Sequence, residues 1–328
     1  MIPLSVLDLS PIVAGGTARD ALLRSLDLAQ RAERLGYHRY WVAEHHNMAG
    51  IASAATAVVM GHIAQGTSRI RVGAGGIMLP NHSPLVVAEQ FGTLESLHPG
   101  RIDLGLGRAP GSDRHAMHAL RRDPMAGDAF PHDVVELLGY FRDDDPTARV
   151  RAVPGAGLHV PVWILGSSTF GAQVAAVLGL PFAFASHFAP DHLAEALRLY
   201  RARFTPSDTL AAPHVMLGVS VIAAETDREA ERLATSLRLQ FLALQRGRPV
   251  QLQPPVDSME GLWSPLERAQ VEHVLRHAII GSPATVSARV RDFLAETGAD
   301  ELMLTSNVHE HAARVRSYEL VAAAMRDA

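Results

Sequence analysis

Eight short apolar runs, each stopped by polar residues, glycine or proline and each followed by a stretch of helical character, set the tightest limit on the fold. They are Leu4 to Leu9, Arg39 to Ala43, Ile70 to Ile77, Arg101 to Gly107, Val162 to Leu165, Phe182 to Ala185, His214 to Ala223 and Glu301 to Thr305. Runs this short, bounded by turn residues, read as buried strands. The stretches between them carry helix signals. Thr17 can cap a helix whose Leu22, Leu23, Leu26, Ala29 and Leu35 keep near-helical spacing up to Gly36. Pro84 opens another that ends at His98-Pro99-Gly100, and Ser282-Pro283 a third that ends at Gly298.

Strands that alternate with helices predict a parallel α/β fold. A doubly wound sheet usually has fewer strands and places its glycine fingerprint in the first strand-to-helix turn. Here that turn is Ser10-Pro11-Ile12. The better fit is a (β/α)8 TIM barrel with insertion loops at the C-terminal rim, built as a single domain over residues 1–328. Residues 245–276, rich in Pro, Gln and Gly, are expected to form a lid or insertion.

Charge and composition narrow the function. The net charge of −4 leaves no electrostatic footprint for nucleic acid or an anionic membrane. The absence of cysteine removes disulfides, thiolate metal sites and a cysteine nucleophile. Met1-Ile2-Pro3-Leu4-Ser5 is no signal peptide, and no apolar run reaches transmembrane length, so a cytoplasmic protein is expected.

In a barrel, residues just after the strands share one rim, where active sites form. The second run ends in Glu44-His45-His46, the third holds Gly73 to Gly76, the fourth leads to Arg108, and the fifth to Gly166-Ser167-Ser168-Thr169. An imidazole with an unperturbed pKa of about 6.5 exchanges protons near neutrality, which makes His45 a candidate acid or base, with Glu44 to orient it. Structural histidines would explain the pair equally well. Ser167 and Ser168 at a helix start suit an anion, or they simply cap the helix. Arg108 could neutralise that anion or sit in a surface ion pair. Gly75 and Gly76 let a flat ring approach the backbone, or serve a tight turn. Gly105 to Gly111 has one residue too many for a dinucleotide fingerprint. His309-Glu310-His311 lacks the spacing of a zinc helix, so no metal is expected and a barrel metallohydrolase is the weaker reading.

Four stretches in order resemble the bacterial luciferase-like family of flavin-dependent monooxygenases. They are Trp41 to His46, Val72 to Pro80, Pro99 to Arg108 and Leu165 to Ser168. The continuation Ala109-Pro110-Gly111-Ser112-Asp113 looks like its uncharacterised bacterial branch. The resemblance implies an enzyme that binds FMN, or in related branches the deazaflavin F420, at the barrel rim. It places His45 on the family's catalytic histidine and Gly75-Gly76 on its non-prolyl cis peptide beside the flavin ring. It places Arg108, Ser167 and Ser168 on or near the flavin phosphate contacts. Gly107 stands where luciferase has a reactive cysteine, a departure that argues against light emission.

The expected reaction uses O2 and reduced FMN, delivered by a separate flavin reductase, to oxygenate a small apolar substrate. Residues 245–276 would close over the site with Trp263 as an apolar plug. Alternatives are an F420-dependent hydride transferase and a non-catalytic flavin-binding subunit. A homodimer is the expected assembly.

Overall fold

The computed structural model describes residues 2–109, 114–122, 126–142 and 145–326. Pro110 to Asp113, in the continuation of the third resembling stretch, lie outside them. Strands β1 (Leu4–Asp8), β2 (Arg39–Val42), β3 (Arg71–Met78), β4 (Ile102–Gly107), β5 (Val162–Gly166), β6 (Phe182–Phe184) and β7 (Val215–Ala223) follow in chain order. β8 (Ile279–Gly281) and β9 (Glu301–Thr305) come last. All pairings are parallel, and the sheet closes through β6–β7 and β1–β9 into an eight-stranded barrel. β8 pairs only with the far end of β7 and stays outside the barrel. It escapes the sequence reading because three residues ending in glycine give no apolar run to count.

Helices between the strands coat the barrel. α1 (Ala18–Leu35) has Thr17 in a reciprocal capping box with Asp20, and Gly36 ends it in the left-handed region at φ 85°. It buries Ala21, Ser25, Leu28, Ala29 and Ala32, a stripe that shares only Ala29 with the expected one; Leu22, Leu26 and Leu35 lie at its margin and Leu23 is exposed. α2 (Thr56–Gln65), α3 (Pro84–Leu97), α4 (Arg114–Ala119), α5 (Phe130–Phe141), α6 (Thr169–Leu178) and α7 (Leu193–Arg203) continue the pattern. α8 (Asp227–Leu233), α9 (Thr235–Gln245) and α10 (Pro265–Val274) intervene between β7 and β8, with α11 (Pro283–Thr297) and α12 (His311–Arg326) after. No helix among the described residues is long and apolar enough to cross a membrane.

The barrel interior holds Leu7, Trp41, Ala43, Trp163, Ala183, Met216 and Met303. Trp41 and Trp163 meet edge to face with centroids 5.4 Å apart. Gly73 of β3 is required by this packing, because a methyl group there would lie 2.3 Å from the Trp41 indole nitrogen. Below the tryptophans, at the strand starts, lies a buried ion network. Asp103 accepts from Arg39 at 2.7 Å, Arg71 at 2.6 Å and the Trp41 Nε1–H at 3.1 Å. Glu301 accepts from Arg39 at 3.1 Å and from the Ser5 hydroxyl.

Outside the barrel wall, Asp8 at the end of β1 accepts from Arg314 of α12 at 2.7 Å, and from the hydroxyls of Tyr40 and Ser25. Burial alone would raise the Asp8 carboxyl, but the Arg314 charge and these hydrogen bonds hold it below its usual range.

Residues 245–276 are largely ordered by local structure. Ser264 and Glu267 form a capping box for α10. α8, α9 and α10 share a small apolar core that includes Leu233, Leu237, Val271 and Leu275. Backbone bonds from Ala14 N–H to the Leu252 carbonyl and from Leu252 N–H to the Ile12 carbonyl, at 2.8 and 3.0 Å, stitch the connecting segment to the loop after β1.

Candidate active site

A cavity of about 670 Å³ opens at the C-terminal mouth of the barrel. That lies within the roughly 300–1,000 Å³ typical of small-molecule and cofactor sites. Its wall includes Glu44, His45, Gly75, Arg108, Ser167 and Ser168, so the sequence candidates from four different strand ends meet around one space. Gly76 does not line it. Its missing side chain would point at the Gly105 carbonyl, 2.7 Å away, so this glycine serves strand packing. The Gly75–Gly76 peptide is cis, where the resemblance located one.

Glu44 is nearly inaccessible, with 1% of its surface exposed, and its carboxylate is fully engaged. Oε1 accepts from His46 Nε2 at 2.8 Å and His82 Nε2 at 2.9 Å, and Oε2 from the Met78 N–H at 3.0 Å. A carboxylate only accepts, so both imidazoles carry hydrogen on Nε2. Burial pushes the Glu44 carboxyl up. The His82 bond and charge, the His46 bond and the Met78 N–H more than reverse this, and it ionises below the usual carboxylate range. Glu44 therefore ties the end of β2 to the end of β3. His82 belongs to this cluster and gave no sign in the sequence, where it sits between Asn81 and Ser83 at the approach to α3. His46 donates to Glu44, and His45 lines the cavity. Among the described residues no three His, Asp or Glu side chains converge as a metal site would require.

Across the mouth, Ser168 caps α6 by accepting from the Phe170 N–H, so the capping reading holds for it. The start of α6 still presents N–H groups that have no partner within the helix. Arg108 lies over the Phe170 ring at 4.1 Å and has no carboxylate partner among the described residues. A cation beside a helix N-terminus, at the rim of an apolar cavity, is suited to a phosphate.

Above the cavity, Gln240, Phe241, Leu244 and Gln245 of α9, and Val274 of α10, contribute to the wall. Asn307, following β9, donates to Gln240 at 2.9 Å and links this roof to the barrel. Trp263 is not the plug expected of it. It packs against the separate core of α8, α9 and α10 and does not line the cavity.

A closed parallel barrel with a cofactor-sized cavity at its C-terminal mouth defines an enzyme of the (β/α)8 class. The family model for luciferase-like monooxygenase matches residues 3–301, and the chain belongs to that family. A luciferase-like monooxygenase of Escherichia coli is 55% identical over 97% of this chain and 96% of its own. The N-acetyl-S-alkylcysteine monooxygenase of Bacillus subtilis is 40% identical over 76% of each chain. The crystal structure of apo-MsnO8 superposes with a TM-score of 0.88 at 36% identity, covering 99% of both chains. The fold also recurs, at 15% identity, in a Baeyer–Villiger monooxygenase in complex with FMN (TM-score 0.72) and an F420-dependent alcohol dehydrogenase (TM-score 0.71).

Proposed function

We propose that this monooxygenase uses FMN, takes it in reduced form from a separate reductase, and oxygenates a small, largely apolar organic compound. The observation that carries this reading is one cavity with, at one side, a helix start and an arginine that has no carboxylate partner among the described residues, His45 at another, and apolar walls between. Arg108, the first N–H groups of α6 and the hydroxyls of Ser167 and Ser168 would hold the phosphate. Gly75 leaves room for the ring. When bound, reduced flavin supplies the electrons that activate O2.

The chain's own residues do the rest. His45 exchanges a proton with the substrate through an imidazole nitrogen. Glu44, with its oxygens already committed, acts as a positioning residue that fixes the backbone on either side of His45. Phe241, Leu244 and Val274 keep bulk water from the mouth. Leu9, Met48, Ile51 and Phe188 make the wall apolar, which suits an apolar substrate. A relative named for acting on N-acetyl-S-alkylcysteine supports a small organic one.

The test is a titration of the purified protein with FMN and, in parallel, F420. Saturable FMN binding is expected, weakened roughly tenfold in Arg108→Ala through loss of a charge-assisted contact. Binding of F420 in place of FMN, or of neither, overturns the reading.

A further inference from the structure

His187 follows β6 and reaches the cavity wall, yet nothing in the chemistry above uses it. Its ring rests where β7 has no side chain. A methyl group at Gly218 would lie 2.4 Å from His187 Nδ1 and 3.0 Å from Cε1. The seat is therefore made by a glycine, and any other residue there would displace the ring. The Phe188 ring meets the imidazole edge-on with centroids 4.8 Å apart. Nδ1 is buried against Gly218 and makes no hydrogen bond of full geometry among the described residues. Nε2 is thus the nitrogen left to meet a ligand.

The protonation state of the ring follows from the same seat. Burial drives the imidazole down to about 4, against the Gly218 carbonyl, which favours a proton, and with the nearby His45 adding to the depression. The ring is neutral at physiological pH, with one nitrogen a donor and the other an acceptor. Gly218, the residue packed against Nδ1, is also the backbone group that favours a proton on the ring, which places the hydrogen on Nδ1. Nε2 then offers a lone pair to the cavity.

We propose that His187 is a specificity-determining residue whose Nε2 accepts a hydrogen bond from the substrate, so that the favoured compounds are apolar bodies bearing one hydroxyl or N–H donor. This rests on the cavity being the site of the monooxygenase reaction. A site built to pair a polar group discriminates strongly against the analogue that lacks it, since the buried acceptor is then left unpaired.

The probe is a matched pair, 4-tert-butylphenol and its methyl ether, titrated calorimetrically into the intact protein. The phenol is expected to bind the unmodified protein roughly tenfold more tightly, a difference of the size one buried hydrogen bond makes. His187→Leu should bind the two alike, and His187→Gln, which keeps an acceptor, should restore part of the preference. Gly218→Ala should also lose it, by displacing the ring, and so tests the geometry independently of the imidazole itself. The proposal is overturned if the unmodified protein binds neither compound or both equally, or if the preference survives in His187→Leu. A tenfold change in FMN affinity on His187→Leu would place the residue on the cofactor and overturn its assignment to substrate. FMN titration of the unmodified protein keeps the two readings apart. Discrimination without flavin binding removes the flavin reading and keeps the role of His187, whereas flavin binding without discrimination removes this inference alone.

Discussion

At the floor of the barrel Asp103 takes hydrogen bonds from Arg39, Arg71 and the Trp41 indole, and Glu301 takes them from Arg39 and Ser5. At the mouth Glu44 is as well satisfied, but around it stand Arg108, with no carboxylate partner among the described residues, and His187, whose ring reaches the cavity wall. Both ends bury charge. The floor closes its carboxylates on arginines, which makes it a brace. The mouth keeps some groups unspent, and those are the ones able to act on something that enters. A buried charge marks a site only when its partners are missing.

The largest effect should come from breaking the brace. Asp103→Ala leaves Arg71 without its carboxylate and Arg39 with only Glu301, and losing one partner of a buried ion network costs about 3–5 kcal/mol. Urea unfolding should show this loss, while FMN affinity per folded molecule stays within about twofold of the original. A variant of unchanged stability would mean that the floor is hydrated and the contrast false.

His45→Ala tests the other end. Turnover with a flavin reductase and NADH should fall by about 10²–10⁴, the span of a lost proton-transfer group, with the urea midpoint little changed. Turnover that survives the substitution would remove His45 from the chemistry.

The smallest effect concerns Glu33, near the end of α1, which accepts the backbone N–H groups of Ser68, Arg69 and Ile70 ahead of β3. Burial raises its carboxyl, but those three bonds prevail and hold it at about 2, against an ordinary 4.5. A carboxyl depressed in the folded state stabilises the fold above about pH 4.5 and loses that contribution as pH falls toward 2. Glu33→Gln should flatten the decline over that window, removing roughly 1–2 kcal/mol once solvent screening is allowed for. Parallel declines in the two proteins would show that Glu33 contributes nothing.

The barrel was legible because strands buried on both faces write themselves as continuous apolar runs, as the wholly buried β7 does. Strand ends were legible for the same reason, and that brought Glu44, His45, Arg108 and Ser167 to one rim. α10 was missed although its signal was present, since Ser264-Pro265-Leu266-Glu267 is a capping box with proline at the first turn. Its helix buries only Val271, too little to raise a period. His82 was not legible at all, and His187 only as a residue just past the sixth strand. Each owes its place to a partner distant in sequence, Glu44 for one and Gly218 for the other, and no local pattern carries that information. Trp263 misled for the converse reason, because an aromatic residue in a polar segment looks like a plug until its own small core is visible.

The bond between Arg314 and Asp8 joins positions 306 apart. Asp8 is already enclosed by Tyr40 and Ser25, but those hydroxyls leave its negative charge uncompensated until α12 arrives. During synthesis, then, an emerging chain holds a first strand with an unbalanced charge until its last helix is made. Contacts of such separation form late and slowly. The arginine works as a completion check: a chain that stops short of it keeps the strands of a barrel but lacks the counter-charge that makes sealing its first strand favourable.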